Sequence, residues 1–359
     1  IPDMIVGLFD TIAAFDTLKK KAWVIAHDVV PYIDKNNIVE SKSDSVRPPK
    51  AIRAKVMASR ISVTKPEAPI DWTSVGRWKA DLSRSEYENM VMHVKEYIFS
   101  GDIFQANITQ RLLADLPEGL CPFMLYKRLR ALSPAPFGAY LKFDTTTILS
   151  ASPERFLSLD SEGNTITRPI KGTRPRGLNT EEDEAMAREL LCSEKDRAEN
   201  LMIVDLLRND LSRVCRLGSV EVPELARLES FANVHHLVSE VRGTLFPNLG
   251  PVDLLRATFP GGSITGAPKI RAMEIINELE PVRRGPYCGA IVWIGFDGAM
   301  DSSIIIRSLV IEGSRIAAQA GGGIVADSDP SAEFNEAMNK VWPLLQSLEP
   351  SDRILEQVP

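Results

Sequence analysis

The stretch FGAYLKFDTTTILSASPERFLSLD, Phe137–Asp160, contains three strand-like segments and no helical segment between them. Phe137–Phe143 and Thr146–Ser150 are predicted to form a hairpin, and Phe156–Asp160 is a third strand that leads into a turn at Ser161–Asn164. Consecutive strands without intervening helices are typical of antiparallel sheets. The stretch therefore predicts an antiparallel sheet rather than a parallel sheet with crossover helices.

A second set of strands is predicted toward the carboxyl end of the chain, at Ala290–Phe296, Ser303–Ile311 and Arg315–Ala320. Helical patterns lie before and between the two sets. The first of them begins with Ser83 and Glu86, whose spacing is a capping-box signature. These patterns predict an α+β protein. The other predicted helices are Pro122–Leu132, Glu181–Leu190, Lys195–Leu211, Pro268–Leu279 and one that begins at Pro330 after an Asp329 cap.

The composition of the chain is that of a globular protein, with 359 residues, 44% of them hydrophobic and 25% charged. The net charge of −6 provides no basic field for nucleic acid or an anionic membrane, so neither partner is expected. No apolar run reaches the ~18 residues that span a bilayer, and no signal peptide is recognisable. Four cysteines without a CxxC pair indicate neither a zinc knuckle nor a disulfide framework. We therefore expect a cytoplasmic protein.

Three regions are predicted along the chain. Residues 1–75 form a partial N-terminal region and linker, in which prolines and charges are scattered from Asn36 to Ile70. Residues 76–348 form the main domain, because helix and strand patterns follow one another closely from Ser83 onward. Residues 349–359 form a C-terminal tail.

Two predicted helices each carry a pair of carboxylates at i and i+3. Asp196 and Glu199 lie in one helix, and Glu333 and Glu336 lie in the other. This spacing places both members of a pair on one helix surface. Two such helices could hold a hard divalent cation through oxygen ligands. For either pair alone, a solvated helix face is the simpler interpretation, so only the remaining motifs favour a metal site.

Two glycine-rich segments are candidates for binding an anion. FPGGSITGAPK, Phe259–Lys269, runs into a helix whose first N–H groups suit an anion, but it lacks the Lys-Ser or Lys-Thr pair of a phosphate-binding P-loop. AGGGIVAD, Ala320–Asp327, follows a strand, and its glycines allow backbone amides to approach a ligand. A tight bend or bulge is the alternative for each segment.

Three side chains are candidates for catalysis. Lys171 lies among arginines, and neighbouring positive charge favours the neutral amine, which is the nucleophilic form. Glu154 follows a strand beside a proline turn, where partial burial would make it a general acid. His236 is adjacent to His235, so at most one of the two is expected to face a site. A basic surface loop and a buried structural histidine remain the alternatives for the lysine and histidine segments.

Taken in order, these segments resemble the chorismate-utilising enzymes, a family that includes anthranilate, aminodeoxychorismate, isochorismate and salicylate synthases. The match covers about Ser83 to Leu348, and seven motifs in sequence make it specific. The motifs are GDIFQAN (101–107), SPERF (152–156), PIKGTR (169–174), DRAENLMIVDL (196–206), HHLVS (235–239), FPGGSITGAPK (259–269) and GGGIVADS (321–328).

The resemblance implies a fold of two packed antiparallel β-sheets flanked by helices, with the active site between the sheets. Residues 76–348 would then be the chorismate-binding catalytic domain. Glu199 and Glu336 would ligate Mg²⁺, with Asp196 and Glu333 in supporting positions, and the metal would chelate the ring carboxylate of chorismate. The other implied substrate-binding groups are Arg307, Tyr287, Ser263, the amides near Gly321 and Gly323, and Lys269.

Two positions distinguish the branches of this family. Water-adding members carry a lysine base where this chain has Gln105, which argues against the isochorismate and salicylate synthases. Anthranilate synthases usually have alanine where Lys171 stands, whereas a lysine in PIKGT resembles the aminodeoxychorismate synthases. The resemblance then implies that Lys171 attacks the ring, that Glu154 protonates the departing hydroxyl, and that ammonia displaces the lysine. His236 would line the site.

Ammonia is expected to come from a glutaminase partner. Cys121, Cys192, Cys215 and Cys288 all lack the Gly-Cys-Gly turn of an amidotransferase nucleophile, so the resemblance implies a separate amidotransferase subunit or a fused segment. Two alternatives remain open at this point. One is an anthranilate synthase component I, and the other is a non-catalytic, ligand-binding relative that regulates a partner.

Overall fold

The structure is a computed structural model that describes residues 1–28, 48–63, 77–230 and 234–349. It divides into two compact units, Pro2–Pro69 and the remainder of the chain. The predicted boundary at residue 75 and nearly all of the predicted tail at 349–359 lie outside the described residues, so both stay predictions. Within the described residues, no helix is long and apolar enough to cross a membrane.

The smaller unit contains a hairpin and one helix, β1 (Thr11–Asp16), β2 (Lys21–Ala26) and α1 (Lys50–Val63). Arg53 joins the helix to the hairpin by donating to Thr11 Oγ1 at 3.3 Å and to the carbonyl of His27 at 2.7 Å.

The larger unit contains fourteen strands and seven helices within its described residues. In chain order these are β3 (Lys79–Ala80), α2 (Arg84–Phe99), β4 (Gln105–Asp115), α3 (Pro122–Leu132), β5 (Phe137–Phe143), β6 (Thr146–Ser152), β7 (Arg155–Leu159), β8 (Asn164–Thr167), β9 (Ile170–Pro175), α4 (Thr180–Cys192), α5 (Glu194–Ser212), β10 (Glu221–Ser230), β11 (Val234–Thr244), α6 (Pro251–Thr258), β12 (Gly266–Ala267), α7 (Lys269–Leu279), β13 (Ala290–Ile294), β14 (Met300–Ile304), β15 (Ser308–Glu312), β16 (Arg315–Ile324) and α8 (Pro330–Gln346).

The strands form two seven-stranded sheets in which every pairing is antiparallel. The first sheet has the order β12-β4-β16-β15-β6-β5, and β3 also pairs with β4. The second has the order β10-β11-β8-β7-β14-β13, and β9 also pairs with β11. The predicted α+β class with two antiparallel sheets and flanking helices is therefore confirmed.

Helices cover the sheets through apolar side chains at helical spacing. Leu125 and Leu129 of α3 are fully buried against the first sheet, and burying one leucine contributes about 1.5–3 kcal/mol. Residues of α5 and α6, including Ile203 and Leu254, pack on the second sheet in the same way. The predicted capping box is confirmed, because Ser83 N donates to Glu86 Oε2 at 2.7 Å and Glu86 N donates to Ser83 Oγ at 3.3 Å.

The segment Ser303–Ile311, predicted as one strand, is divided between the two sheets. β14 ends at Ile304 in the second sheet, and β15 begins at Ser308 in the first. Arg307 turns the chain between them with a φ of +51°, a left-handed conformation that costs about 1–2 kcal/mol for a residue with a side chain. The prediction of a single strand was wrong because residue patterns do not reveal such a bend. As a result, the side chain of Arg307 is attached to the backbone at the point where the chain passes from the second sheet to the first.

Candidate active site

Glu154 lies in the turn between β6 and β7 and is only 8% exposed. Ser263 Oγ donates to Glu154 Oε1 at 2.6 Å. Burial raises the pKa of Glu154, although the Ser263 hydrogen bond and the charge of Lys171 act in the opposite direction. A carboxylic acid with a raised pKa keeps its proton closer to neutral pH, as a general acid requires.

Lys171 projects from β9 toward α5. Its Nζ donates to Glu199 Oε1 at 2.7 Å, and the side chains are 12% and 16% exposed, respectively. Gln105 Nε2 donates to the same carboxylate oxygen at 3.1 Å and to Asn107 Oδ1 at 3.0 Å. The sequence therefore brings together an amine from the second sheet, a carboxylate from α5 and an amide from the first sheet.

The side chain of Gln105 is completely buried, and its Oε1 has no hydrogen-bond partner within the part of the chain that the structure describes. Burying an acceptor without a donor costs about 1–3 kcal/mol, so such an atom in a site is a candidate for contact with a ligand that carries N–H or O–H groups. The amide itself cannot accept a proton as a base, because its nitrogen is not basic.

The arginines that follow Lys171 in the sequence form ion pairs with carboxylates of neighbouring helices. Arg174 contacts Glu189 at 2.7 Å and Asp196 at 3.2 Å, and Arg176 contacts Asp183 at 2.6 Å. The expected crowding of Lys171 by positive charge is thus offset by carboxylates of α4 and α5. The nearest charge to the lysine amine is instead the carboxylate of Glu199.

The second carboxylate helix, α8, presents Glu336 and Glu333 near Gly322. A Cβ at Gly322 would lie 3.0 Å from Glu333 Oε2 and 3.9 Å from Glu336 Oε1. Burial opposes ionisation of Glu336, but the charges of Lys340, Lys195 and Lys171 lower its pKa overall. Because Lys171 contacts Glu199 and also acts on Glu336, it lies within electrostatic reach of one carboxylate from each helix.

The predicted set of four metal-binding carboxylates is not assembled as one cluster. Asp196 Oδ2 pairs with Arg174 at 3.2 Å, and Glu333 Oε1 accepts from Ser328 Oγ at 2.7 Å, so one oxygen of each carboxylate is engaged by the protein. Residues 1–28, 48–63, 77–230 and 234–349 contain no group of three or more His, Cys, Asp or Glu side chains that could hold a metal. Glu199 and Glu336 remain as candidate ligands, and two carboxylates suit Mg²⁺, which takes its other ligands from water and substrate.

Arg307 and Tyr287 form the cationic and phenolic part of the site. Burial lowers the pKa of Arg307, while Tyr287 and Glu336 act to raise it, and burial raises the pKa of Tyr287 well above its usual value. Arg307 Nη1 donates to the carbonyl of Lys340 at 2.9 Å, but the guanidinium forms no ion pair with any carboxylate that the structure describes. A partly buried guanidinium without a carboxylate partner is suited to an anionic ligand.

The two adjacent histidines make different contacts. His236 Nδ1 lies 2.9 Å from Thr173 Oγ1, and burial lowers the pKa of its imidazole. His235 is instead buried between Ser230 at 2.8 Å and Asp183 at 3.0 Å. His236 pairs in register with Thr173 on β9, the strand that carries Lys171.

Three other predicted substrate-binding residues are explained mainly by their protein contacts. Lys269 Nζ donates to Asp210 Oδ2 at 2.5 Å and to the carbonyl of Thr258 at 2.8 Å, which ties α7 to α5 and α6 instead of directing the amine at a ligand. Its predicted substrate contact stays a prediction. A Cβ at Gly321 would lie 1.9 Å from the carbonyl of Ile108, and one at Gly323 would lie 2.0 Å from Gln105 Nε2. Close packing against the backbone of β4 therefore requires Gly321, whereas a side chain at Gly323 would displace the Gln105 amide.

Sequence reasoning missed Lys340 and Asn107. Lys340 Nζ contacts Glu336 at 2.5 Å and donates to the carbonyl of Gly321 at 3.0 Å. The i,i+4 spacing of Glu336 and Lys340 was a usable signal for this pair. Asn107 Nδ2 donates to the carbonyl of Ser263 at 2.9 Å, a contact between distant segments for which the sequence carries no signal.

Comparison with known proteins identifies the family of this chain. The model of the chorismate binding enzyme family matches residues 1–346. Aminodeoxychorismate synthase component 1 of Klebsiella aerogenes is 44% identical over 349 residues, which cover 97% of this chain and 71% of that protein. Anthranilate synthase component 1 of Thermus thermophilus is 40% identical over 352 residues, which cover 97% of this chain and 72% of that protein.

A solved structure shows the same fold. The crystal structure of anthranilate synthase component I from Streptococcus pneumoniae superposes with a TM-score of 0.80 at 34% identity, covering 94% of this chain and 72% of that one. The chain belongs to the chorismate binding enzyme family. The family predicted from the seven motifs is confirmed, and chorismate binding follows from it.

Proposed function

We propose that this chain is an aminodeoxychorismate synthase component I, which aminates chorismate with ammonia to 4-amino-4-deoxychorismate, on the route to para-aminobenzoate and folate. The observation that carries the proposal is the amine of Lys171, placed 2.7 Å from Glu199 and near enough to the buried acid Glu154 to influence its pKa. Relatives from Klebsiella aerogenes and Bacillus subtilis that bear this name, at 44% and 40% identity, support it.

In the proposed reaction, Lys171 first gives a proton to solvent, and its neutral amine then attacks the chorismate ring and expels the ring hydroxyl. Glu154 gives its proton to the departing oxygen, so that water leaves and a secondary ammonium joins Lys171 to the ring. Ammonia then forms a new C–N bond at the para position, and Lys171 leaves as a neutral amine. The product ammonium returns a proton to Glu154, and the enolpyruvyl group stays intact. The net change is chorismate plus ammonia to aminodeoxychorismate plus water.

Different groups of the site would bind the two carboxylates of chorismate. Glu199 and Glu336 would hold Mg²⁺, which when bound would neutralise and polarise the ring carboxylate. Arg307 and Tyr287 would bind the enolpyruvyl carboxylate, since the guanidinium has no carboxylate partner among the described side chains. A dianionic substrate is then accommodated by an acidic protein through local charges alone.

We expect Glu336→Gln to weaken Mg²⁺ binding by at least about 10-fold, because one of two anionic ligands becomes neutral. Isothermal titration of the whole chain with magnesium chloride measures the affinity without any need for turnover. Glu162→Gln, in an exposed turn far along the sequence, is the matched control and should bind like the parent. Equal affinity in Glu336→Gln and the parent would exclude Glu336 as a ligand.

We propose that a glutaminase subunit supplies the ammonia. Burial raises the pKa of Cys215 and of Cys288 to about 11, so both stay as thiols and are poor nucleophiles. The name component 1, borne by the Klebsiella aerogenes relative, implies a second subunit in that protein. The same arrangement would provide this chain with ammonia.

The product formed from chorismate, Mg²⁺ and an ammonium salt tests the proposal. We expect mass spectrometry to find an aminated product and a parallel assay to find no pyruvate. Anthranilate with an equal amount of pyruvate would instead assign the chain as an anthranilate synthase component I, the name of the Thermus thermophilus relative. No turnover under these conditions would favour a ligand-binding regulatory role.

A further inference from the structure

A buried ion pair lies behind the turn that carries Ser263. Glu280 caps the end of α7, and Arg284 follows it by one helical turn in the next loop. Arg284 Nη2 donates to Glu280 Oε1 at 2.6 Å and Arg284 Nε donates to Glu280 Oε2 at 2.9 Å, and the side chains are 13% and 5% exposed. Taking two charges out of water is costly unless their other hydrogen-bonding groups are also satisfied.

These remaining groups are satisfied by two segments of the active site. Arg284 Nη1 donates to the carbonyl of Ile264 at 2.9 Å, in the glycine-rich turn. Arg284 Nη2 donates to the carbonyl of Asn107 at 2.6 Å, in β4. Glu280 Oε1 accepts from both the amide and the hydroxyl of Thr109, at 2.9 and 3.0 Å. One guanidinium thus joins the first sheet to the turn.

The joined segments carry the groups that contact Glu154 and Glu199. Asn107 Nδ2 donates to the carbonyl of Ser263, and Ser263 Oγ donates to Glu154 Oε1. Asn107 Oδ1 accepts from Gln105 Nε2, which also donates to Glu199. The path from Arg284 to the proposed general acid therefore consists of short hydrogen bonds of 2.6–2.9 Å.

We propose that Glu280 and Arg284 are positioning residues for the reaction, which hold Asn107 and Ser263 so that the Ser263 hydroxyl stays on Glu154. The inference rests on the proposed function, in which Glu154 protonates the leaving hydroxyl. A planar guanidinium is needed because it bonds two carbonyls and a carboxylate at once, whereas a lysine amine offers no such fork. Glu280 fixes the plane of the guanidinium, and Thr109 fixes Glu280.

We expect Arg284→Gln to lower kcat by on the order of 10- to 100-fold, because a small displacement of the acid is costly in rate. The KM for chorismate should change by less than about 3-fold, since Arg307, the guanidinium proposed to bind the enolpyruvyl carboxylate, is not altered. The Ser263 hydrogen bond lowers the pKa of Glu154, so its loss should move the alkaline limb of the kcat profile to higher pH. Arg283→Gln, at the exposed neighbouring arginine, is the control and should match the parent.

A double-mutant cycle decides whether Arg284 acts through Ser263. Ser263→Ala should shift the alkaline limb in the same direction, and Arg284→Gln combined with Ser263→Ala should lose no more kcat than the larger single change. Multiplied losses, or a normal kcat in Arg284→Gln, would overturn the proposal. If Arg284→Gln fails to fold by circular dichroism, Arg284→Lys replaces it with the same expectations.

The positioning role of Arg284 can be refuted without refuting the proposed function. A parent chain that aminates chorismate, with an Arg284 variant that is equally active, would refute the positioning role alone. A parent chain without any turnover would refute the proposed function. The double-mutant cycle would then compare the melting temperatures of the variants instead of their kcat values. In that case additive shifts for Arg284→Gln and Ser263→Ala would also overturn the coupling.

Discussion

Replacement of Lys171 by alanine should slow the amination of chorismate by on the order of 10³-fold, because the variant lacks the nucleophile that splits the substitution into two steps. The amine that is removed donates to Glu199 at 2.7 Å in the parent. Binding should be retained, since Arg307, Tyr287 and Glu336 stay in place. Steady-state rates with an ammonium salt, measured as product by mass spectrometry, give kcat and KM separately.

The covalent step has its own readout and control. With chorismate and no ammonium, acid-quenched parent enzyme should gain the mass of chorismate less water, on the peptide that contains Lys171. Lys171→Ala should show no such gain. Lys142→Ala, at an exposed lysine of β5, should keep both the rate and the adduct. An unchanged rate in Lys171→Ala would remove the covalent step from the mechanism.

Glu154→Gln should lower kcat by about 10²- to 10⁴-fold, the usual contribution of a positioned general acid. The amide can still accept the hydrogen bond from Ser263 Oγ but has no proton to give to the leaving hydroxyl. Burial raises the pKa of Glu154, so kcat of the parent should fall as pH rises through that raised value. The variant should lack this alkaline limb, and a limb that persists unchanged would assign the proton to another group.

The same substitution should stabilise the fold at alkaline pH. Since the pKa of Glu154 is higher in the folded chain, the folded state binds more protons than the unfolded state between the two pKa values. Stability therefore falls as pH rises from the ordinary value for glutamate through the raised value, and Glu154→Gln removes this loss. Melting temperatures of parent and variant should coincide in acid and diverge as pH rises. Glu118→Gln, at an exposed position, should show no divergence.

Most helices were predicted because their signals are local, although α6 (Pro251–Thr258) was not. Ser83 and Glu86 marked the start of α2, and Asp329 marked the start of α8 by accepting from Ala332 N at 2.8 Å. β10 and β11 were not predicted, although they lie in the second sheet. β10 is an edge strand with mostly exposed or half-buried side chains, so its pattern resembles that of a solvated loop.

The site was predicted as a set of residues but not as a set of contacts. Lys171, Glu154 and Glu199 were named from motifs, whereas the 2.7 Å approach of Lys171 to Glu199 depends on how β9 meets α5. Asp196 lies three residues before Glu199, a spacing that would suit a second ligand on the same helix, yet in the structure it pairs with Arg174. Competition between partners brought together only in the tertiary structure cannot be recovered from spacing along the chain.

The contact between Gly323 and Gln105 restricts how this site can change by mutation. A methyl group at position 323 would lie 2.0 Å from Gln105 Nε2, so even alanine there displaces the amide. Position 105 is restricted as well, because the Gln105 side chain is completely buried and donates to Glu199 and Asn107. In evolutionary terms the two positions are coupled, since a side chain at 323 requires a smaller or displaced side chain at 105.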